Sequence, residues 1–199
     1  MKNIKLFERE LELIVDEELR MVVKAYLLER VPDYFWTDGA SSSGKYHPQF
    51  AQGEGGLVRH TKAVVMFAEE LLRMSSYAYM RDAYKDYAIA ACIVHDTMKY
   101  GLGEFEKTHY KNNANNASIA FAEFALECDY RPSEILLNAI SAHMGQWSTD
   151  KEDRPFTNVD RLVHMADYMA SRSFIDIPQI TEGWHAVEFE MGSNGELPF

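Results

Sequence analysis

Seven histidines occur in this chain of 199 residues, and several of them, with two aspartates, fall where an apolar helix face ought to continue. His60 borders the apolar row Leu57, Thr61, Val64, Ala68 and Leu71. His95 and Asp96 end the run YAIAACIV, which is apolar all the way round, and Tyr84, Ala88, Ala91 and His95 form one continuous row. His143 closes the row Leu136, Ile140, His143, and Asp167 follows Val163 on the inner side of its helix. An imidazole or carboxylate buried without a partner costs several kcal/mol, so each of these groups needs one. A lone inward histidine is more often a hydrogen-bonded core residue than a ligand. Histidines and carboxylates converging from four helices are different, because they are what a divalent metal site requires. The metal supplies the positive charge that makes buried carboxylates tolerable.

Helices must carry these groups, and helical periodicity dominates the sequence. Helices are expected over Ile4–Arg30, ended by Pro32, and over Leu57–Met74, Asp82–Met98, Ala117–Glu127, Ser133–His143 and Asn158–Arg172. Thr157 and Asp160 introduce the last of these at capping-box spacing. The expectation is an all-α fold in one domain spanning residues 1–199, with 47% apolar residues enough to build a core without disulfides. Cys92 and Cys128 are read as two small core residues. Pro32–Gly56, rich in Gly, Ser and Pro, is longer than the ~12–15 residues at which a structureless loop in a compact domain usually has a function. The tail, residues 174–199, reads as irregular, with Val187, Phe189 and Met191 alternating as an edge strand would.

The order His60, then His95–Asp96, then Asp167 resembles the HD superfamily of metal-dependent phosphohydrolases, whose pattern H…HD…D lies on an all-helical core. GGLVRHT at Gly55–Thr61 resembles the GGL-x-x-HT segment of HD domains such as those of bacterial 3′-to-5′ exoribonucleases. IVHDTMKYG at Ile93–Gly101 resembles the family's HD-x-x-K-x-G stretch, and LVHMADYMASR resembles its closing helix. The similarity covers about residues 57–172 and implies an HD-type helical bundle. It implies that His60, His95, Asp96 and Asp167 ligate one divalent ion, and that His143 and His109 serve a second in binuclear members. Asn112, Asn113, Asn115 and Asn116 depart from the family's usual residues after His109. Mixed imidazole and carboxylate ligation suits manganese, iron, cobalt or zinc better than calcium, and magnesium stays in the set. A metal so held lowers the pKa of bound water and polarises a phosphoryl oxygen, so that Asp96 belongs to the catalytic centre as well as to the ligand set. Lys99, one turn after His95, would neutralise charge on the phosphate. Arg59 could do the same or form a salt bridge on the outer face. His164, one turn before Tyr168, and His185 in the tail are read as structural and surface residues.

The stretch GASSSGKY, Gly39–Tyr46, comes within one residue of a nucleotide-binding phosphate loop. Tyr46 replaces the magnesium-binding hydroxyl residue, Pro48 blocks a continuous helix, and no βαβ pattern exists, so an NTPase is excluded. The stretch reads instead as a loop over the mouth of the metal site, with Ser43, Lys45 and His47 as substrate contacts and a plain surface turn as the alternative. The net charge of −11 disfavours extended duplex nucleic acid as a partner and leaves a small phosphorylated molecule, a nucleotide first among them. No leader or membrane-spanning run is visible, which gives a soluble, cytoplasmic protein as the expectation. The leading function is hydrolysis of a nucleotide's phosphate ester or anhydride. The alternatives are a 3′-to-5′ exonuclease or phosphodiesterase on short nucleic acid, and a non-catalytic nucleotide-sensing module. The oligomeric state is not encoded in any of these patterns.

Overall fold

Apolar rows of the sequence become helices that bury those rows against one another. The fold is taken from a computed structural model, which describes residues 2–41, 47–101, 113–148, 151, 154–175 and 177. Among the described residues there are eight α-helices, four short 3-10 segments and no strand, so the all-α expectation holds. The helices are α1 (Glu8–Glu12), α2 (Glu17–Glu29), α3 (Asp33–Thr37), α4 (Gly56–Arg73), α5 (Ala78–Val94), α6 (Asn113–Glu127), α7 (Glu134–Ser141) and α8 (Asn158–Ala170). Helix α5 is the centre: Ala88 to Val94 are all buried, as a helix apolar on every side must be. It packs on α4, α7 and α8, while α8 also covers α4 and α7. None of the described helices is long and apolar enough to cross a membrane.

The single helix expected over Ile4–Arg30 is broken into a 3-10 turn (Ile4–Phe7), α1 and α2. Asp16 causes the break. Its carboxylate accepts the backbone N–H of Leu19 at 3.1 Å and so caps α2 instead of continuing α1, while its own N–H donates to Asp86 Oδ2 at 2.7 Å. The freed segment folds back on α4, where Lys62 Nζ lies 2.8 Å from Glu10 Oε2 with both side chains buried. Cys92 is buried as expected, but Cys128 is exposed. The correction follows from the end of α6: Asp129 adopts φ 59, and the backbone N–H of Tyr130 turns back to Ala125 O, which leaves Cys128 outside the packed face.

The segment Pro32–Gly56 is more structured than its composition suggests. It holds α3 and a 3-10 turn at Gln49–Ala51, and its two arms are tied by Ala40 N–H to Ala51 O at 2.9 Å. Backbone bonds from Gly55 to Thr37 O (2.9 Å) and from Leu57 to Asp38 O (2.8 Å) then fix the start of α4. Glycine is required at this junction. Gly55 has φ 67, and a Cβ on Gly56 would stand 2.3 Å from Ala51 O. Capping by Thr157 and Asp160 at α8 is the reciprocal box expected from the sequence. Val187, Phe189 and Met191 lie outside the described residues.

Candidate metal centre

Four helical elements bring their polar groups to one point beneath the start of α4. His60 sits on the second turn of α4, His95 and Asp96 just after α5, His143 just after α7, and Asp167 on the last turns of α8. His60 Nε2 lies 3.1 Å from Asp167 Oδ1 and 3.6 Å from Asp96 Oδ2. His95 Nε2 lies 3.5 Å from Asp96 Oδ2 and 3.8 Å from Asp167 Oδ1, and His143 Nε2 lies 3.6 Å from Asp96 Oδ1. Two overlapping sets have ligand atoms close enough to share an ion: His60, His95 and Asp167, and His95, Asp96 and His143.

These contacts fit a cation better than a hydrogen-bond network. His60 Nδ1 and Nε2 and His95 Nε2 are buried, and none makes a hydrogen bond. Such orphaned nitrogens are rare in a packed interior, and an ion taking the Nε2 lone pairs of His60 and His95 would account for two of the three. The other ring nitrogens are set locally. His95 Nδ1 is 2.7 Å from Cys92 O, and His143 Nδ1 is 2.7 Å from Ile140 O, each a carbonyl three residues earlier. A carbonyl only accepts, so Nδ1 carries the proton and the Nε2 lone pair is turned toward the carboxylates.

Electrostatics within the cluster follow from burial and close charges. Burial pushes the His60 imidazole below its ordinary range, outweighing the pull of Asp167. At His95 burial acts in the same sense but Asp96 outweighs it, and the pKa rises. Burial would raise Asp96, yet the Lys99 ammonium, 2.5 Å from its Oδ2, holds it well below the usual carboxylate range. Asp167 is lowered too, as contact with His60 overcomes its burial. His47 falls to about 3, first through burial and then through neighbouring His60.

Of the loop residues, His47 reaches the cluster, its ring centroid 5.1 Å from that of His60. Ser43 and Lys45 lie outside the described residues, as does His109. Lys99 Nζ donates to Asp96 Oδ2 at 2.5 Å. Arg59 bonds to the loop ahead of α4: its Nε donates to Phe50 O at 2.5 Å and its Nη2 to Gln52 O at 2.9 Å, which holds the loop against α4. His164 is structural as expected, its Nδ1 2.7 Å from His143 O.

Sequence patterns do not disclose a set of tyrosines around the turn that follows His95 and Asp96. Thr97 Oγ1 donates to Val94 O, so Tyr26 O–H donates to Thr97 Oγ1 at 3.1 Å. Tyr34 O–H donates to Gly101 O at 2.6 Å and accepts the backbone N–H of Tyr100 at 3.1 Å, and Tyr100 O–H donates to Gly39 O at 2.8 Å. These bonds grip the turn bearing Lys99 from α2, from α3 and from the loop beyond it. Their partners stand 61 to 71 residues apart, beyond the reach of any local period.

Comparison with known proteins agrees with this geometry. The sequence pattern defining the HD domain matches residues 57–172. A dihydroneopterin 2′,3′-cyclic phosphate phosphodiesterase from Methanocaldococcus jannaschii is 30% identical over 175 residues, covering 81% of this chain. The aligned part spans 66% of that relative's own length. No solved structure matches the chain.

Proposed function

The chain belongs to the HD domain family, and on that premise we propose that it is a metal-dependent phosphodiesterase that opens a cyclic phosphate diester of a small nucleoside-like or pterin-like molecule. The observation that carries this reading is the pair of buried, hydrogen-bond-free Nε2 atoms of His60 and His95 facing Asp96 and Asp167. The relative that acts on a pterin 2′,3′-cyclic phosphate supports the diester, and the charge of −11 supports a small substrate over a nucleic-acid strand.

In this reading His60, His95, Asp96 and Asp167 hold one divalent ion, and His143 with Asp96 extends the site toward a second. The ion, when bound, supplies Lewis acidity and makes water a better nucleophile near neutral pH. The chain supplies the rest. Backbone carbonyls of Cys92 and Ile140 keep His95 and His143 in the one tautomer that directs Nε2 inward. Lys99 places a positive charge beside Asp96, where the substrate's phosphate anion docks. His47, packed on His60, closes the same side. Hydrolysis adds a water oxygen to phosphorus, breaks one of the two ring P–O bonds and leaves the proton on the released hydroxyl.

The test is a panel of nucleoside 2′,3′-cyclic phosphates, linear nucleotides and a short single strand, each with manganese, cobalt, zinc and magnesium. Ring opening by wild type and its loss in Asp96→Ala is the expected result. Turnover of linear nucleotides or of the strand alone would replace the proposed substrate class. Binding without turnover under every metal would favour a sensor.

A further inference from the structure

Beside the metal centre lies a half-open aromatic surface that its chemistry does not require. Trp147 is 49% exposed, whereas Trp36, the other tryptophan among the described residues, is 7% exposed and packed in the core. The rings of Trp147 and Tyr168 are nearly parallel, 9° between planes with centroids 5.5 Å apart. The Arg172 guanidinium carbon lies 4.2 Å from the Tyr168 centroid and 5.7 Å from that of Trp147. Arg172 is itself held, its Nε donating to Tyr168 O at 3.2 Å and its Nη2 to Ser171 Oγ at 2.9 Å.

This surface is continuous with the ligand set. Tyr168 directly follows Asp167, and Trp147 stands four residues beyond His143. The link is stiff. Gly145 adopts φ 61 and ψ −128, a Cβ there would stand 2.1 Å from the His164 ring, and His164 is bonded to His143 O at 2.7 Å. The His164 ring also lies 5.9 Å from Trp147. Met165 (43% exposed) stands three residues before Tyr168 on the same helix and so shares its face. Exposed apolar area that is contiguous and rigid, next to a polar site, is characteristic of ligand recognition.

Resting on the phosphodiesterase reading, we propose that Trp147, Tyr168 and Arg172 form the subsite for the planar heterocycle of the substrate. The heterocycle stacks on the exposed part of Trp147, as bases do on aromatic side chains in general. The Arg172 guanidinium, anchored at its Nε and Nη2, presents its remaining N–H groups to carbonyl or ring-nitrogen acceptors on the heterocycle's edge. Met165 rims the stack. The occupant is a purine-sized or pterin-sized ring carried by the phosphate held at the metal centre.

Two probes separate this subsite from the phosphate site: guanosine 2′,3′-cyclic phosphate, and glycerol 1,2-cyclic phosphate, which has no ring system. With full-length protein and manganese, Trp147→Ala should raise KM for the guanosine compound about tenfold, the stacking contribution expected of one base. It should leave the glycerol compound within about twofold, and Trp147→Phe should restore most of the loss. Thermal melting of both variants checks that they fold. Equal effects on the two probes, or none on either, overturn the subsite. A second arm works without turnover: calorimetric titration with guanosine 3′-phosphate and with glycerol 3-phosphate. A preference for guanosine that is lost in Trp147→Ala sustains the subsite even where no probe is hydrolysed, in which case only the phosphodiesterase reading falls. No preference in wild type removes the subsite while leaving any observed hydrolysis intact.

Discussion

Gly56→Ala tests whether the glycine pair at the start of α4 sets the position of His60. An added Cβ would stand 2.3 Å from Ala51 O, 2.7 Å from Ala51 C and 3.0 Å from Gly39 Cα. All three are backbone atoms, so no side chain can swing away. Relief demands that the start of α4 or the Gln49–Ala51 turn move by about 1 Å, which breaks the Ala40–Ala51 or Leu57–Asp38 backbone bonds. Overpacking of this kind costs about 2–3 kcal/mol. For a chain of this size each kcal/mol lowers Tm by about 2–4 °C, so the expected fall is roughly 5–10 °C. Circular dichroism melts measure it, with Gly53→Ala as the control. Gly53 also has positive φ, but nothing lies within 4 Å of its added Cβ, so only the left-handed backbone cost of about 1–2 kcal/mol applies. His60 is one turn along the same helix, so Gly56→Ala should also weaken manganese binding in a calorimetric titration and Gly53→Ala should not. A Gly56→Ala protein that melts within about 1 °C of wild type, or melts lower than Gly53→Ala by nothing, would refute the close-approach argument.

Metal removal should destabilise the protein: an ion present at about 100 times its Kd contributes roughly 2.7 kcal/mol, and a chelator should lower Tm accordingly while leaving a His60→Ala/Asp167→Ala protein unmoved. Glu10→Gln should cost about 3 kcal/mol in urea unfolding, since it withdraws the carboxylate from the buried Lys62 ammonium, and Glu10→Leu/Lys62→Met should recover most of that. Asp96 and Asp167 have folded pKa values below their unfolded ones, so their contribution is complete above the unfolded value of about 4 and is lost as pH falls through it toward the folded values. Metal-free protein should therefore lose urea resistance below about pH 4.5, and Asp96→Asn should flatten that acid limb. Tyr34→Phe should cost about 1–2 kcal/mol by removing the hydroxyl that joins Gly101 O and the Tyr100 N–H, which chemical denaturation can measure.

Residues whose roles are set by helical phase were legible in the sequence. His95, His143 and Asp167 each continue an apolar row at spacings of three or four, and a row that is buried carries its last member inward, while His60 borders such a row. What escaped depends on competition or distance. Asp16 could continue a helix or cap one, and only the available partner, Asp86, decides. Cys128 follows an apolar run but sits just past the end of α6, immediately before the turn made by Asp129. Arg59 neighbours His60, and its guanidinium donates to the carbonyls of Phe50 and Gln52, presented by a turn that composition did not reveal. Trp147 and Tyr168 lie on different elements and meet only because Gly145 redirects the chain.

Three tyrosine hydroxyls grip the Lys99 turn, and two of them, on Tyr26 and Tyr34, come from ahead of the region that the family pattern covers. The third, on Tyr100, ends on Gly39, also ahead of it. The alignment boundary at residue 57 is thus not a mechanical boundary. A protein trimmed to the aligned region would keep every proposed ligand and lose the braces that set where Lys99 stands. Such a fragment could bind its ion and still misplace Lys99, so transplanting this chemistry onto another scaffold means moving the tyrosine braces with the histidines.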